Sequence, residues 1–207
     1  QPVARATGYV GSPVHAGSSG TVVEIAPRPV PHPSGLSADC VVIRTDGEDR
    51  PFEGYDPLKN YRTLNAPALR ARVRECGIVG LGGAAFPTSV KLNVGVGLKS
   101  LILNAAECEP FISCDDTLLR YRSEEVVLGA QVMLHALEIR HCLIGIEDDK
   151  PEAREALTAA VARIGDQRQR QRLPVAVGER FKLAGAPALD AGAYVAQQCR
   201  LADPAGI

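Results

Sequence analysis

Leu101-Ile102-Leu103-Asn104-Ala105-Ala106-Glu107-Cys108-Glu109-Pro110 opens with three consecutive apolar residues and then changes to an amide followed by two carboxylates. A short continuous apolar run fits a strand buried on both faces, the kind that parallel sheets contain. His141-Cys142-Leu143-Ile144-Gly145-Ile146 is a second such run. Between them, Ser123 followed by Glu124 and Glu125 reads as a helix start, with acids at the positive end of the dipole. Val126, Ala130, Met133 and Leu137 then form one apolar helical face. Pro151 suits a first helical position, and Leu157, Ala160, Val161 and Ile164 continue with helical spacing. Strand, helix, strand, helix is the pattern of βα units, so the expected fold class is α/β with a parallel sheet.

Upstream the texture differs. Residues 1–64 hold Gly and Pro clusters between short β-branched runs, notably Gly20-Thr21-Val22-Val23-Glu24-Ile25 and Cys40-Val41-Val42-Ile43-Arg44. Short strands joined by tight turns follow from that pattern, so a β-rich module is expected over 1–64 and the α/β domain over 65–165. Pro27-Arg28-Pro29-Val30-Pro31-His32-Pro33-Ser34-Gly35 is read as a stiff, exposed connection, because proline cannot donate to a sheet ladder. Residues 166–207 are an unassigned tail: Gln167-Arg168-Gln169-Arg170-Gln171-Arg172 reads as a solvated polar loop, and an Ala/Gly-rich stretch with little periodicity follows.

Of the 207 residues 45% are hydrophobic, enough to bury one core with a small satellite. Lys plus Arg is 23 and Asp plus Glu is 24; the net charge of -1 gives no electrostatic case for nucleic acid. No apolar run approaches the roughly 20 residues of a spanning helix, so any membrane association is expected to come through a partner. The chain opens on Gln1 rather than Met, which reads as a fragment of something longer. Cys40, Cys76, Cys108, Cys114, Cys142 and Cys199 show none of the spacings of zinc or iron-sulfur ligation, so no metal site is expected. Cys108 and Cys114 are read as buried structural thiols in a reducing, cytosolic compartment.

The chemistry concentrates in two segments. Gly80-Leu81-Gly82-Gly83-Ala84-Ala85-Phe86-Pro87-Thr88 clusters glycines, which let backbone approach a ligand closely and point several N–H groups the same way, as around phosphate or a planar ring. Phe86 offers a stacking face and Lys91 a cation within reach of phosphate; the alternatives are a core phenylalanine and a surface lysine. The second segment, Asn104 to Pro110, follows a strand, and in parallel α/β sheets ligands collect at the carboxyl ends of strands. Taken singly, Glu107 and Glu109 read first as solvated or helix-capping acids.

Gly77 to Lys91, then Leu103 to Ile112, then Cys114-Asp115-Asp116, resemble the C component of the Rnf ion-translocating electron-transport complex. Less closely, the two segments are similar to the NADH-binding flavoprotein of respiratory complex I, which usually has glycine where this chain has Ala85 and Cys108. The resemblance runs from the start of the chain to about Ile164. It implies a Rossmann-like flavin/NADH domain preceded by part of a lipoyl-like barrel-sandwich module, carried by the run Ser12 to Val23. No lysine occupies the turn of that module, so neither biotin nor lipoate is expected there.

The implied ligands are FMN and NADH, with hydride passing from nicotinamide to flavin. On that reading Gly80, Gly82, Gly83 and Ala84 give backbone contacts and Phe86 stacks. Lys91 and Asn104 hold the flavin phosphate or ring edge, and Glu107 and Glu109 border the nicotinamide. No catalytic side chain is implied, because the cofactor carries the chemistry. The implied setting is a peripheral subunit at the cytoplasmic face of the bacterial inner membrane, with other members of the complex and NAD(H) as partners. Full-length members carry iron-sulfur clusters whose ligands are not in this chain, and a Gly-Gly-Glu segment after the helix ending near Ile164 that is absent here. A cofactor-free scaffold of the same fold is the competing function.

Overall fold

The computed structural model describes residues 1–54, 58–80, 85–94, 97–107, 111–166 and 193–197, with residues 165–166 and 193–197 as backbone alone. The N-terminal part is β-rich, as its Gly/Pro punctuation requires. Strands β1 (Pro2–Ala4) and β2 (Val14–His15) pair antiparallel. Strands β3 (Gly20–Pro29) and β4 (Ser37–Thr45) form a long antiparallel ribbon, in register from Gly20↔Thr45 to Pro29↔Ser37 with a bulge between Val22 and Glu24.

The ribbon corrects one expectation. The strand runs through Pro27 and Pro29, and the connection begins only at Val30. The Val30 N–H bonds to the Leu36 carbonyl, so even-numbered residues face the partner strand here. Both prolines therefore lie on the outer edge, where a missing donor does no harm. Val22, Val23 and Ile25 are exposed, Ile25 by 71%.

Helix α1 (Ala66–Glu75) is started by Asn65, whose Oδ1 accepts the Ala68 N–H at 2.9 Å. It ends at Gly77, whose φ of +69° favours glycine; a Cβ there would meet the Pro13 carbonyl at 2.8 Å. The same end of α1 ties down the N-terminal segment, since the Arg74 guanidinium donates to the carbonyls of Gly8 at 2.6 Å and Tyr9 at 2.8 Å.

Past a short helix α2 (Thr88–Lys91) come β5 (Ser100–Asn104), α3 (Cys114–Tyr121), α4 (Ser123–Leu137), β6 (His141–Gly145), α5 (Pro151–Asp166) and β7 (Ala193–Gln197). The three strands form a parallel sheet in the order β6-β5-β7, matching the expected α/β class. Leu101, Ile102 and Leu103 are all buried, so both faces of β5 are covered, as the unbroken apolar run requires. The tail, to which periodicity assigns no structure, contributes β7; the polar run from Gln167 to Arg172 lies outside the described residues.

Helices α3, α4 and α5 pack on one another. Ser123 is the first helical residue of α4 rather than its cap. Arg122 takes the cap position without a side-chain cap bond, because it also terminates α3 and leaves no free turn between the helices. The apolar face of α4 is wider than expected: Val127, Gly129 to Leu134 and Ala136 are buried. A void of about 10 Å³ between Leu103, Leu119, Met133 and Ile144 is apolar and too small for a ligand. Leu157 of α5 is fully buried in that core. Leu157→Ala is expected to cost about 2–5 kcal/mol in denaturant unfolding. Ile25→Thr on the exposed ribbon is expected to change stability by no more than about 0.5 kcal/mol.

Candidate functional site

The glycine loop is pinched shut at its base. The Gly80 N–H donates to the Phe86 carbonyl at 2.9 Å, the Thr88 N–H to Ile78 at 3.0 Å, and Val79 bridges Pro87 antiparallel. These bonds fold the chain back so that α2 follows at once and returns Lys91 toward the loop. The Lys91 ammonium stands over the Cα of Gly80: a Cβ built there would fall 2.5 Å from Nζ. Gly80 is thus needed for close approach, and Lys91 is a half-buried cation at the loop rather than a free surface lysine. Phe86 is 40% exposed, so it is no core residue and keeps a ring face open to solvent. Ala85 has φ +47°, a left-handed conformation that costs an L side chain roughly 1 kcal/mol or more. Glycine takes that conformation without the penalty.

The second group sits at the carboxyl end of β5. Asn104 is buried, and its Oδ1 accepts the Ala106 N–H at 3.2 Å, an Asx turn that swings the chain off the sheet. The Ala105 N–H bonds to the Gly145 carbonyl at 2.9 Å and extends the pairing with β6 by one step. Glu107 then points back under α3, where its Oε1 accepts the Asp115 N–H at 2.9 Å. It caps that helix from a distance, since Ser113 in the cap position makes no side-chain cap bond. Its Oε2 lies 3.7 Å from the Lys150 ammonium on the β6–α5 connection, beyond hydrogen-bond range, and has no hydrogen-bond partner among the described residues.

The structure therefore brings Gly80, Phe86 and Lys91 together in one loop, and Asn104 and Glu107 together at one strand end. Gly82, Gly83, Ala84 and Glu109 lie outside the described residues, as does Cys108. Cys114 corrects another expectation: it is exposed at the first residue of α3, not a buried structural thiol. Partial desolvation and the charges of Asp115 and Glu107 push its thiol up, the opposite of an activated nucleophile. Among the described residues Cys142 is the buried thiol, pushed up to about 12 by burial.

Sequence reasoning gave no site role to Lys150 or Asp115, which the structure sets against Glu107. Lys150 is far from Glu107 in the chain, and only the pairing of two strands brings them together. The available signal was position: Glu107 and Lys150 each follow shortly after one of two strand ends that lie side by side.

Residues 73–188 match the family described as the Nuo51 FMN-binding domain, and residues 1–48 match the RnfC barrel sandwich hybrid domain. The first match passes Ile164, where the sequence resemblance was expected to stop. The chain is 51% identical over 150 residues to the C component of the ion-translocating oxidoreductase complex of Serratia proteamaculans, covering 72% of this chain and 21% of that relative. Over 167 residues it is 47% identical to the component of the same description from Erwinia tasmaniensis, covering 80% and 20%. The chain thus spans about a fifth of the length of the curated relatives it matches. Among solved structures it is similar to a chain of an NAD+-reducing [NiFe]-hydrogenase in the H2-reduced state, with a TM-score of 0.52 and 25% identity over 60% of this chain and 24% of that one.

Burial, and then the neighbouring charge of Glu107, raise the Asp115 carboxyl above its ordinary 3.8. An acid raised in the folded state is held best when protonated. Its penalty is absent below 3.8 and grows as pH rises through the folded value. Asp115→Asn is therefore expected to melt higher than the unaltered chain at neutral pH, with the difference vanishing below 3.8, as thermal melts at the two conditions would read.

Proposed function

We propose a function from one premise: the chain belongs to the Nuo51 FMN-binding domain family. It binds FMN and a nicotinamide dinucleotide. In the longer protein it passes electrons between nicotinamide and the other subunits of a membrane-associated complex of the Rnf, NAD:ferredoxin oxidoreductase type. The β-rich module of residues 1–64, barrel-sandwich-like, precedes a Rossmann-like flavin domain over 65–165. The observation that carries the reading is the closed loop from Gly80 to Lys91, in which a bare Cα faces an ammonium beside an open aromatic ring.

The residues present fit the group. A phosphate needs a cation and unhindered backbone, and Lys91 over Gly80 supplies both. A flavin ring needs a flat apolar surface, and Phe86 keeps one exposed. Asn104 has its oxygen committed to the turn, so its Nδ2 is the donor that remains for a ring edge. Among the described residues the Glu107 Oε2 is a buried acceptor without a hydrogen bond, which suits an amide or hydroxyl donor on the nicotinamide side. Gly82, Gly83, Ala84 and Glu109 complete this assignment from the sequence motif. FMN, when bound, supplies the acceptor for hydride. The chain's own residues bind, orient and charge-balance.

Partners follow the same premise. The two curated relatives are each described as one member of a complex, which supports other subunits as partners. No helix among the described residues is long and apolar enough to cross a membrane. In this reading attachment is peripheral, through those partners, at the cytoplasmic face of the inner membrane. Iron-sulfur clusters belong to the remaining length of such proteins, and among the described residues no three His, Cys, Asp or Glu side chains converge as ligands.

An FMN titration followed by flavin fluorescence, beside circular dichroism, tests the reading. Saturable quenching is expected, with Phe86→Ala and Lys91→Ala each weakening binding by about tenfold at unchanged secondary structure. A folded chain with no flavin affinity would instead favour the scaffold function. Gly80→Ala is expected to weaken FMN binding to a similar degree without lowering the melting temperature, because the displaced atom is the flexible end of Lys91. A large loss of stability with binding intact would contradict the assignment.

A further inference from the structure

Glu107 and Lys150 meet across two loops that leave the sheet side by side. The side chain of Glu107 is 4% exposed and that of Lys150 24%, so the carboxylate lies inside and the ammonium at the rim. The two carboxylate oxygens have different fates. Oε1 is committed to the Asp115 N–H at 2.9 Å, which fixes the plane of the carboxylate. Oε2 has its counter-charge at 3.7 Å but no hydrogen bond among the described residues. A buried carboxylate is tolerated when it is charge-paired and its lone pairs are filled. Here the first condition is met by Lys150, and the second is unmet at one oxygen.

The Lys150 backbone is also held. Its N–H bonds to the Glu147 carbonyl at 3.3 Å, and its own carbonyl accepts the Arg154 N–H at 3.2 Å in the first turn of α5. The ammonium is thus presented from a fixed turn rather than from a loose loop. Asp115, whose N–H holds Oε1, also brings a second negative charge toward Glu107 and sharpens the need for a cation there.

We propose that Lys150 is a positioning residue of the dinucleotide site: from the β6–α5 turn it fixes the Glu107 carboxylate in place, so that the buried Oε2, unbonded among the described residues, accepts an N–H or O–H donor of the bound nicotinamide nucleotide. The proposal rests on the FMN and nicotinamide reading above. Lys150 acts through Glu107 and does not itself hold the flavin. The specificity that results is for a ligand that donates a hydrogen bond at this point; a ligand that can only accept meets a buried anion.

The test uses the whole 207-residue chain loaded with FMN, NADH as probe, and the variants Lys150→Met, Lys150→Arg, Glu107→Gln and the double variant Glu107→Gln/Lys150→Met. FMN and NADH dissociation constants and a thermal melt are measured for each. Lys150→Met is expected to weaken NADH by about tenfold while FMN affinity stays within about twofold, and Lys150→Arg to recover most of the loss. In the Glu107→Gln background, loss of Lys150 is expected to have no further effect, because the charge it serves is gone. The double variant is expected to melt above Lys150→Met, which guards against misreading a folding defect as a binding defect. Unchanged NADH affinity in Lys150→Met, or losses that multiply in the double variant, would overturn the role of Lys150 alone. A folded, unaltered chain that takes up neither FMN nor NADH would overturn the function reading and this proposal with it.

Discussion

The parallel pairing of β5 with β6 is the constraint on which the rest depends. Register Leu101↔Cys142, Leu103↔Ile144 and Asn104↔Gly145 puts both strand ends at one level. The two connections that leave there must then emerge next to each other. Burial holds the pairing in place, since β5 is covered on both faces and Cys142 and Ile144 are buried beside it. A one-step slip would move Glu107 away from Lys150 and take the capping carboxylate from α3. The electrostatics of the site are therefore written in the hydrogen-bond register of two apolar strands.

The same economy governs the charges. Glu107 serves the fold with one oxygen and leaves the other open, so a single side chain links helix α3 to the site. Lys91 is held over a residue that has no Cβ, which makes the placement of a cation depend on a glycine eleven residues earlier in the chain, at the other end of the loop. Ala85 bears a left-handed backbone beside it. Backbone strain, a crowded cation and a buried acceptor without a hydrogen bond all occur at the two segments that the sequence motifs mark.

Much of this is legible in the sequence, for identifiable reasons. The apolar runs at 101–103 and 141–146 announce strands because they are too short for an ordinary helix and are bounded by polar residues. Helices α4 and α5 follow from their spacing, and the glycine loop from its composition. What escapes is non-local. Pro27 and Pro29 argue against a strand in a wide sheet, but a two-stranded ribbon offers an outer edge that a sequence does not reveal. Cys114 has the residue type of a core thiol, yet it opens a helix at the surface. Lys150 carries no local mark at all. Its importance exists only once β6 lies against β5, a contact between segments far apart in the chain. Asn104 has the marks of a ligand group, and half of its amide builds the turn instead.

The central claim is that the glycine loop and the end of β5 form one flavin site. Residue-resolved hydrogen exchange of the chain with and without FMN measures it most directly. The account predicts added protection confined to the amides around Gly80, Phe86 to Lys91 and Asn104 to Glu107, with the exposed β3–β4 ribbon unchanged. Protection on the ribbon instead, or in only one of the two segments, would contradict it.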